Sequence, residues 1–243
     1  MPLKIIHGDA TLIVVDKPPD LAVFKEGEET GETVASLLSG QFPGLEKLGE
    51  EYRYGIVHRL DKDTSGILLV AKDKQLFEFL QQQFQSRKVE KKYVCLVVGI
   101  IKQDQGRIHT LLGRSPADRR KQKAYPLTNS PMQGKREAVT EYKVLQRFQG
   151  YTLLEVTPKT GRKHQLRAHL ASIGNPIAGD VLYGFKNQSR PEGLTRQFLH
   201  ASYIRFILPD GTVKEFHSEL PEGLKQVLEN LIETNHGNKT GNI

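Results

Sequence analysis

The chain has 243 residues, 37% hydrophobic and 26% charged, which suits one large folded domain or two small ones and excludes a disordered chain. Its 35 Lys and Arg against 28 Asp and Glu leave a formal charge of +7, so an acidic partner is expected. The one cysteine, Cys95, excludes an internal disulfide framework and any zinc site needing two thiolates; with no ~18-residue apolar run and no apolar signal core in MPLKIIHGD, a cytoplasmic protein away from membranes is expected.

In chain order, Leu12 to Val15 predicts a buried strand, ended by the turn signal Lys17-Pro18-Pro19-Asp20. A short helix is predicted over Thr33 to Leu38, then a loop to Gly49. Ile67 to Ala71 predicts a second apolar strand. Asp73 follows as an N-cap, with Phe77, Leu80 and Phe84 on one face of a helix that frays at Ser86. Tyr93 to Val98 is the next strand.

Residues 102–136 carry nine basic side chains (Lys102, Arg107, Arg114, Arg119, Arg120, Lys121, Lys123, Lys135, Arg136) and two acidic ones (Asp104, Asp118). The rest of the chain holds 26 of each sign, so this segment accounts for the whole net charge. Its glycines and prolines predict turns and short extended pieces. It is either a solvated loop or an arm that tracks phosphates by counterion release.

Two strands are predicted over Ala138 to Phe148 and Tyr151 to Thr157, joined at Gln149-Gly150. A short helix follows from about His164, with Leu166, Leu170 and Ile173 on its core face and Gly174-Asn175-Pro176 as its stop. Leu199 to Leu208 and Val213 to Phe216 flank a Pro-Asp-Gly turn. Pro221 opens a last helix with Leu224, Leu228 and Leu231 in register. Residues 1–233 are expected to form a single domain, and 234–243 a disordered tail. The fold class expected is α+β, a mostly antiparallel mixed sheet flanked by helices.

The segment His58-Arg59-Leu60-Asp61-Lys62-Asp63-Thr64-Ser65-Gly66 gathers polar and charged groups just before a buried strand. From the residues alone it reads as a capped turn, a calcium loop or a phosphatase nucleophile motif. The calcium loop fails because its twelfth position is Lys72, where a bidentate Glu is required. The phosphatase would need magnesium at Gly179-Asp180 plus a further Asp, and position 184 is Gly. The basic segment by itself also admits a non-catalytic RNA-binding or RNA-folding factor.

The same segment resembles the catalytic motif of the RluA-type family of RNA pseudouridine synthases. So do Val15-Asp16-Lys17-Pro18-Pro19, Lys91 to Val97, Gly134 to Tyr142, Thr160 to Leu170, Gly174 to Asp180 with Tyr183-Gly184, and Leu199-His200-Ala201, in family order over roughly residues 9–220. The resemblance implies an isomerase that breaks the uridine C1′–N1 bond, turns the base and rejoins it through C5, without metal or other cofactor. Asp61 would be the catalytic carboxylate, paired with Arg162, whose positive charge favours the ionised form. Tyr93 would stack on the extruded uracil or accept a proton.

Arg59 is expected at a phosphate or in the space the flipped base vacates. Gln165 and Arg167 are candidates for RNA, Ile177 for the uracil pocket, and Arg114, Arg119, Arg120, Lys121 and Lys123 for phosphates. His58 is expected to be structural, His169 either a brace or an RNA contact, and Cys95 a small core hydrophobe. Several relatives carry an N-terminal S4-type domain. Here the core motif begins by Val14, so RNA affinity is expected from the catalytic domain itself, on a tRNA or 23S rRNA stem-loop, with a monomer favoured.

Overall fold

The computed structural model describes residues 3–25, 31–49, 53–128, 133–188 and 190–237, and holds ten strands and four α-helices among them. The chain divides into two compact units, Met1–Lys91 with His200–Glu219, and Lys92–Leu199 with Leu220–Ile243.

The first unit is built on β1 (Lys4–Gly8), β2 (Leu12–Lys17) and β3 (Ser65–Ala71), an antiparallel set in which Lys17 lies opposite Gly66. β9 (Leu199–Ile207) runs parallel to β3 through Ser65↔His200 and Gly66↔Ala201, and pairs antiparallel with β10 (Val213–His217). Every residue of β3 is buried, which explains its uninterrupted apolar run.

Helix α1 (Val34–Gln41) starts at a capping box. The Thr33 hydroxyl accepts the Ser36 N–H at 3.1 Å, and the Ser36 hydroxyl accepts the Thr33 N–H at 2.9 Å, satisfying donors a helix start leaves open. A 3₁₀ turn, Leu45–Lys47, interrupts the expected loop. Helix α2 (Lys74–Gln85) is capped by Asp73, whose carboxylate takes the Leu76 N–H at 2.8 Å. Its Leu76, Phe77 and Leu80 pack on Leu12, Val14, Ile67 and Leu69, and truncating such a side chain to Ala costs about 2–5 kcal/mol.

The second unit is an antiparallel sheet of β4 (Glu90–Val98), β8 (Tyr151–Pro158), β7 (Lys135–Phe148), β5 (Gln105–Arg114) and β6 (Gln122–Tyr125), in that spatial order. The expected hairpin turn is present, with Gly150 at φ 78°. Helix α3 (Gln165–Ser172) packs Leu166 and Leu170 on Cys95, Val97, Leu154 and Val156, and helix α4 (Glu222–Gly237) sets Leu224 and Val227 on Phe148 and Phe198.

The mixed α+β architecture agrees with expectation, with three local differences. The basic segment holds turns and extended pieces as expected, but one piece is long: β5 is a ten-residue strand hairpinned to β6. Ile173 is 40% exposed, because it is the C-cap of α3, where helical spacing stops applying. Helix α4 continues beyond Thr234 to Gly237, into the expected tail, whose last residues, 238–243, lie outside the described ones.

Candidate active site

In the first unit, Asp61 stands in a turn closed by the Thr64 N–H on the Asp61 carbonyl at 3.0 Å. Asp61 and Asp63 are half-buried, while Leu60, Thr64 and Ser65 on either side are buried. The turn is therefore pinned at both ends and presents Asp61 between them.

Three further contacts fix it. Lys17 is a lysine with no exposed surface, and its ammonium donates at 2.8 Å to each of three carbonyls, those of Pro18, Leu21 and Lys62. An ammonium has three protons, so these bonds answer the cost of burying its charge. Ser65 donates its hydroxyl proton to Nδ1 of the buried His200 at 2.9 Å, a tautomer set because His200 Nε2 must donate to the Ser218 carbonyl at 3.1 Å. Gly66 has φ 115°, and a β-carbon there would fall on the Ala201 backbone, so only glycine lets β3 and β9 approach.

His58 is structural as expected. Its Nε2 accepts the Leu69 N–H at 3.0 Å, and its ring stacks on Phe84 at 4.8 Å. Burial, and then the charge of Lys91, push its pKa down to about 3, so it holds β3 as a neutral ring. Burial likewise lowers Lys91 to about 8; its ammonium sits 5.3 Å from the Phe84 ring centre. Arg59 is exposed, with its guanidinium 5.1 Å from the Phe24 ring centre, a ring that Arg53 shares at 5.3 Å. That contact holds a cation at the surface two residues from Asp61.

In the second unit, Tyr93 lies on β4 opposite Val156, half-buried against the Cys95, Val97 and Ile108 cluster. Burial raises the Cys95 thiol well above its ordinary range, consistent with a core hydrophobe. Arg162 is half-buried where β7 outruns β8. Its Nε donates to the Glu137 carbonyl at 3.2 Å and its backbone N–H to Gln165 Oε1 at 3.1 Å.

Gln165 is not the RNA contact the sequence suggested. Its Oε1 also accepts the Thr160 hydroxyl at 2.7 Å, and its Nε2 donates to the Val139 carbonyl and the Thr140 hydroxyl at 3.0 and 3.1 Å. All its hydrogen-bonding capacity goes to holding the Arg162 turn on β7. Arg167 is likewise corrected: it is buried and forms a two-bonded pair with Asp180, at 2.7 and 2.9 Å. Burial alone would raise the Asp180 pKa, but the Arg167 bonds and charge more than offset it and hold it below the usual carboxylate range. Asp180 thereby serves the fold and not the magnesium of the phosphatase reading.

His169 braces the helix, sitting between the Thr140 and Thr110 hydroxyls at 2.8 and 3.1 Å; burial and the neighbouring His109 lower it to about 4. Ile177 has no exposed surface and packs in the core beside Cys95 and Val97, so it does not line a pocket wall as expected. Tyr183, given no individual role in the sequence, accepts the Gln122 N–H at 2.7 Å, and its ring lies beside the Arg167 guanidinium at 5.0 Å.

Arg114, Arg119, Arg120 and Lys123 are all exposed on the β5–β6 hairpin, and Lys121 is half-buried. Arg120 is engaged by Asp118 through bonds of 3.0 and 2.9 Å, and those bonds hold Asp118 down to about 2. Lys123 pairs with Gly113 and Arg114 with Gln122, adjacent rows of the ladder, so Arg114 and Lys123 project to opposite faces of the hairpin. Among the described residues no helix is long and apolar enough to cross a membrane.

A family model described as RNA pseudouridylate synthase matches residues 11–172. The chain is 41% identical over 235 residues to an uncharacterized RNA pseudouridine synthase of Aquifex aeolicus, covering 93% of this chain and 72% of that protein. It is 34% identical over 243 residues to the ribosomal large subunit pseudouridine synthase D of Haemophilus ducreyi, covering 95% of this chain and 71% of that one. Among solved structures, human RNA pseudouridylate synthase domain containing 1 superposes with a TM-score of 0.74 at 26% identity, over 96% of this chain and 94% of that one. The family model and the relatives at 41 and 34% identity converge, and the chain belongs to the RNA pseudouridylate synthase family.

Proposed function

We propose that this chain converts a uridine in a structured RNA, in tRNA or 23S rRNA, to pseudouridine in the cytoplasm, as a monomer and without metal or cofactor, with residues 1–233 serving as one catalytic domain. The C1′–N1 bond breaks, the uracil turns, and C5 bonds to C1′. The C5 proton leaves and N1 takes one up, so no atom is gained or lost. Asp61 is the carboxylate that acts on the sugar or base. Arg162 supports its negative charge, and Tyr93 stacks on the uracil or accepts the C5 proton. Arg59 and the β5–β6 cations take phosphates.

The observation that carries this reading is the bracing of the Asp61 turn by Lys17, His200 and Gly66. A surface turn without a positional task has no need of a buried ammonium, whereas a carboxylate that must meet a reacting atom does. Mapping pseudouridines across tRNA and rRNA from cells with and without the gene tests it. Loss of pseudouridine at one or a few positions is expected, regained with the wild-type gene. An unchanged map contradicts the reading.

A further inference from the structure

Strand register places Lys123 of β6 and Lys135 of β7 on either side of Gly113 of β5. Directly paired residues of neighbouring strands project to the same face, so two lysines flank one position that has no side chain. The opposite face is the packed one, where Leu112 and Ala138 meet Ala168 of α3. Lys123 is exposed and Lys135 half-buried.

Both lysines converge on one ring. Their ammonium groups lie 5.3 and 4.3 Å from the centre of Tyr125, whose strand position is opposite Leu111 in the adjoining row. The ring attracts and orders two like charges that would otherwise repel. A β-carbon on Gly113 would meet Lys135 Cγ at 2.9 Å, so the bare strand is what leaves Lys135 its place. Along the same face of β7, Glu137 bonds His109 at 2.8 Å. The carbonyl of that Glu137 is the one that holds Arg162.

We propose that Lys123 and Lys135, held on Tyr125 across Gly113, form a seat for a single backbone phosphate of the RNA, beside the strand that anchors Arg162. This rests on the reading of an RNA substrate and adds a defined phosphate position to it. Two converging ammonium groups suit a phosphodiester, and the seat gives affinity without sequence preference.

The test is binding of the full chain to poly(U) across a salt series. In single strands, each neutralised phosphate contributes about 0.7 to the slope of log affinity against log salt. The double variant Lys123→Gln, Lys135→Gln is expected to lose about 0.7 of slope, one phosphate's worth. Gly113→Ala, which keeps every charge, is expected to weaken binding several-fold by displacing Lys135. A loss of about 1.4 in the double variant means that the lysines hold separate phosphates and overturns the shared seat. An unchanged slope, or full affinity in Gly113→Ala, overturns it as well.

Circular dichroism of each variant separates a lost seat from a lost fold. Pseudouridine formation in tRNA and rRNA, scored on the same wild-type preparation, reports on the reaction independently. Absent conversion with an intact poly(U) slope counts against the enzyme reading alone, and a wild-type slope in the lysine variants with intact conversion counts against the seat alone.

Discussion

The Nζ of Lys17 lies 2.8 Å from the carbonyl oxygen of Lys62, the residue after Asp61. The same ammonium holds the Pro18 and Leu21 carbonyls, so one buried charge ties the end of β2 to the Asp61 turn. Lys17→Met keeps the stem's volume and leaves three carbonyls without their donor. Each unsatisfied buried group costs about 1–3 kcal/mol. The three carbonyls are part-buried, so urea unfolding is expected to show a loss of about 1–3 kcal/mol. Single-turnover conversion is expected to slow by about 100-fold through misplacement of Asp61. A variant as fast as wild type would show that the turn holds its shape without Lys17.

Gly66 reports on the same turn from the other side. With φ at 115° and the Ala201 backbone where a β-carbon would go, Gly66→Ala must part β3 from β9. The strained backbone alone costs about 1–3 kcal/mol, and the steric conflict adds to it. Thermal unfolding is expected at a clearly lower temperature, with loss of conversion in whatever protein folds. Gly174→Ala, with φ 83° and open space around it, carries only the backbone part and is expected to be milder.

Acid stability follows from two neutral histidines. Burial holds His169 down to about 4 and His58 to about 3, from an ordinary 6.5. Below pH 6.5 the unfolded chain takes up protons that the folded chain refuses, so stability is full above 6.5 and falls as pH drops toward 4. For His169 the whole shift corresponds to roughly 3 kcal/mol. Urea midpoints between pH 7.5 and 4.5 are expected to fall on the acid side, and less steeply in His169→Gln. A His169→Gln profile parallel to wild type would show that this ring does not carry the effect.

Caps and apolar periodicity made most elements legible: Asp73 does cap α2, and the run from Ile67 to Ala71 is a strand buried on both faces. Burial of polar groups was not legible. Gln165 and Arg167 read as surface residues because hydrophobic patterning carries no sign of a Thr160–Thr140 network or of Asp180. Ile177 read as a pocket wall because an apolar residue in a motif block looks the same in a core. Lys17 is the residue whose task left a trace, a lysine ending an apolar strand beside two prolines. The basic segment's charge was plain from composition, but the length of β5 was hidden by glycines that serve the ladder, such as Gly113 between Lys123 and Lys135.

Asp61 is the carboxylate proposed to act on the uridine. Asp61→Asn preserves the size of the side chain and leaves the turn's backbone bond to Thr64 in place. The direct measurement is pseudouridine formed in tRNA and rRNA lacking the modification, with binding of the same RNA measured alongside. Conversion is expected to vanish in Asp61→Asn while affinity stays near that of the wild type. Pseudouridine formed at the wild-type rate by Asp61→Asn would contradict the assignment.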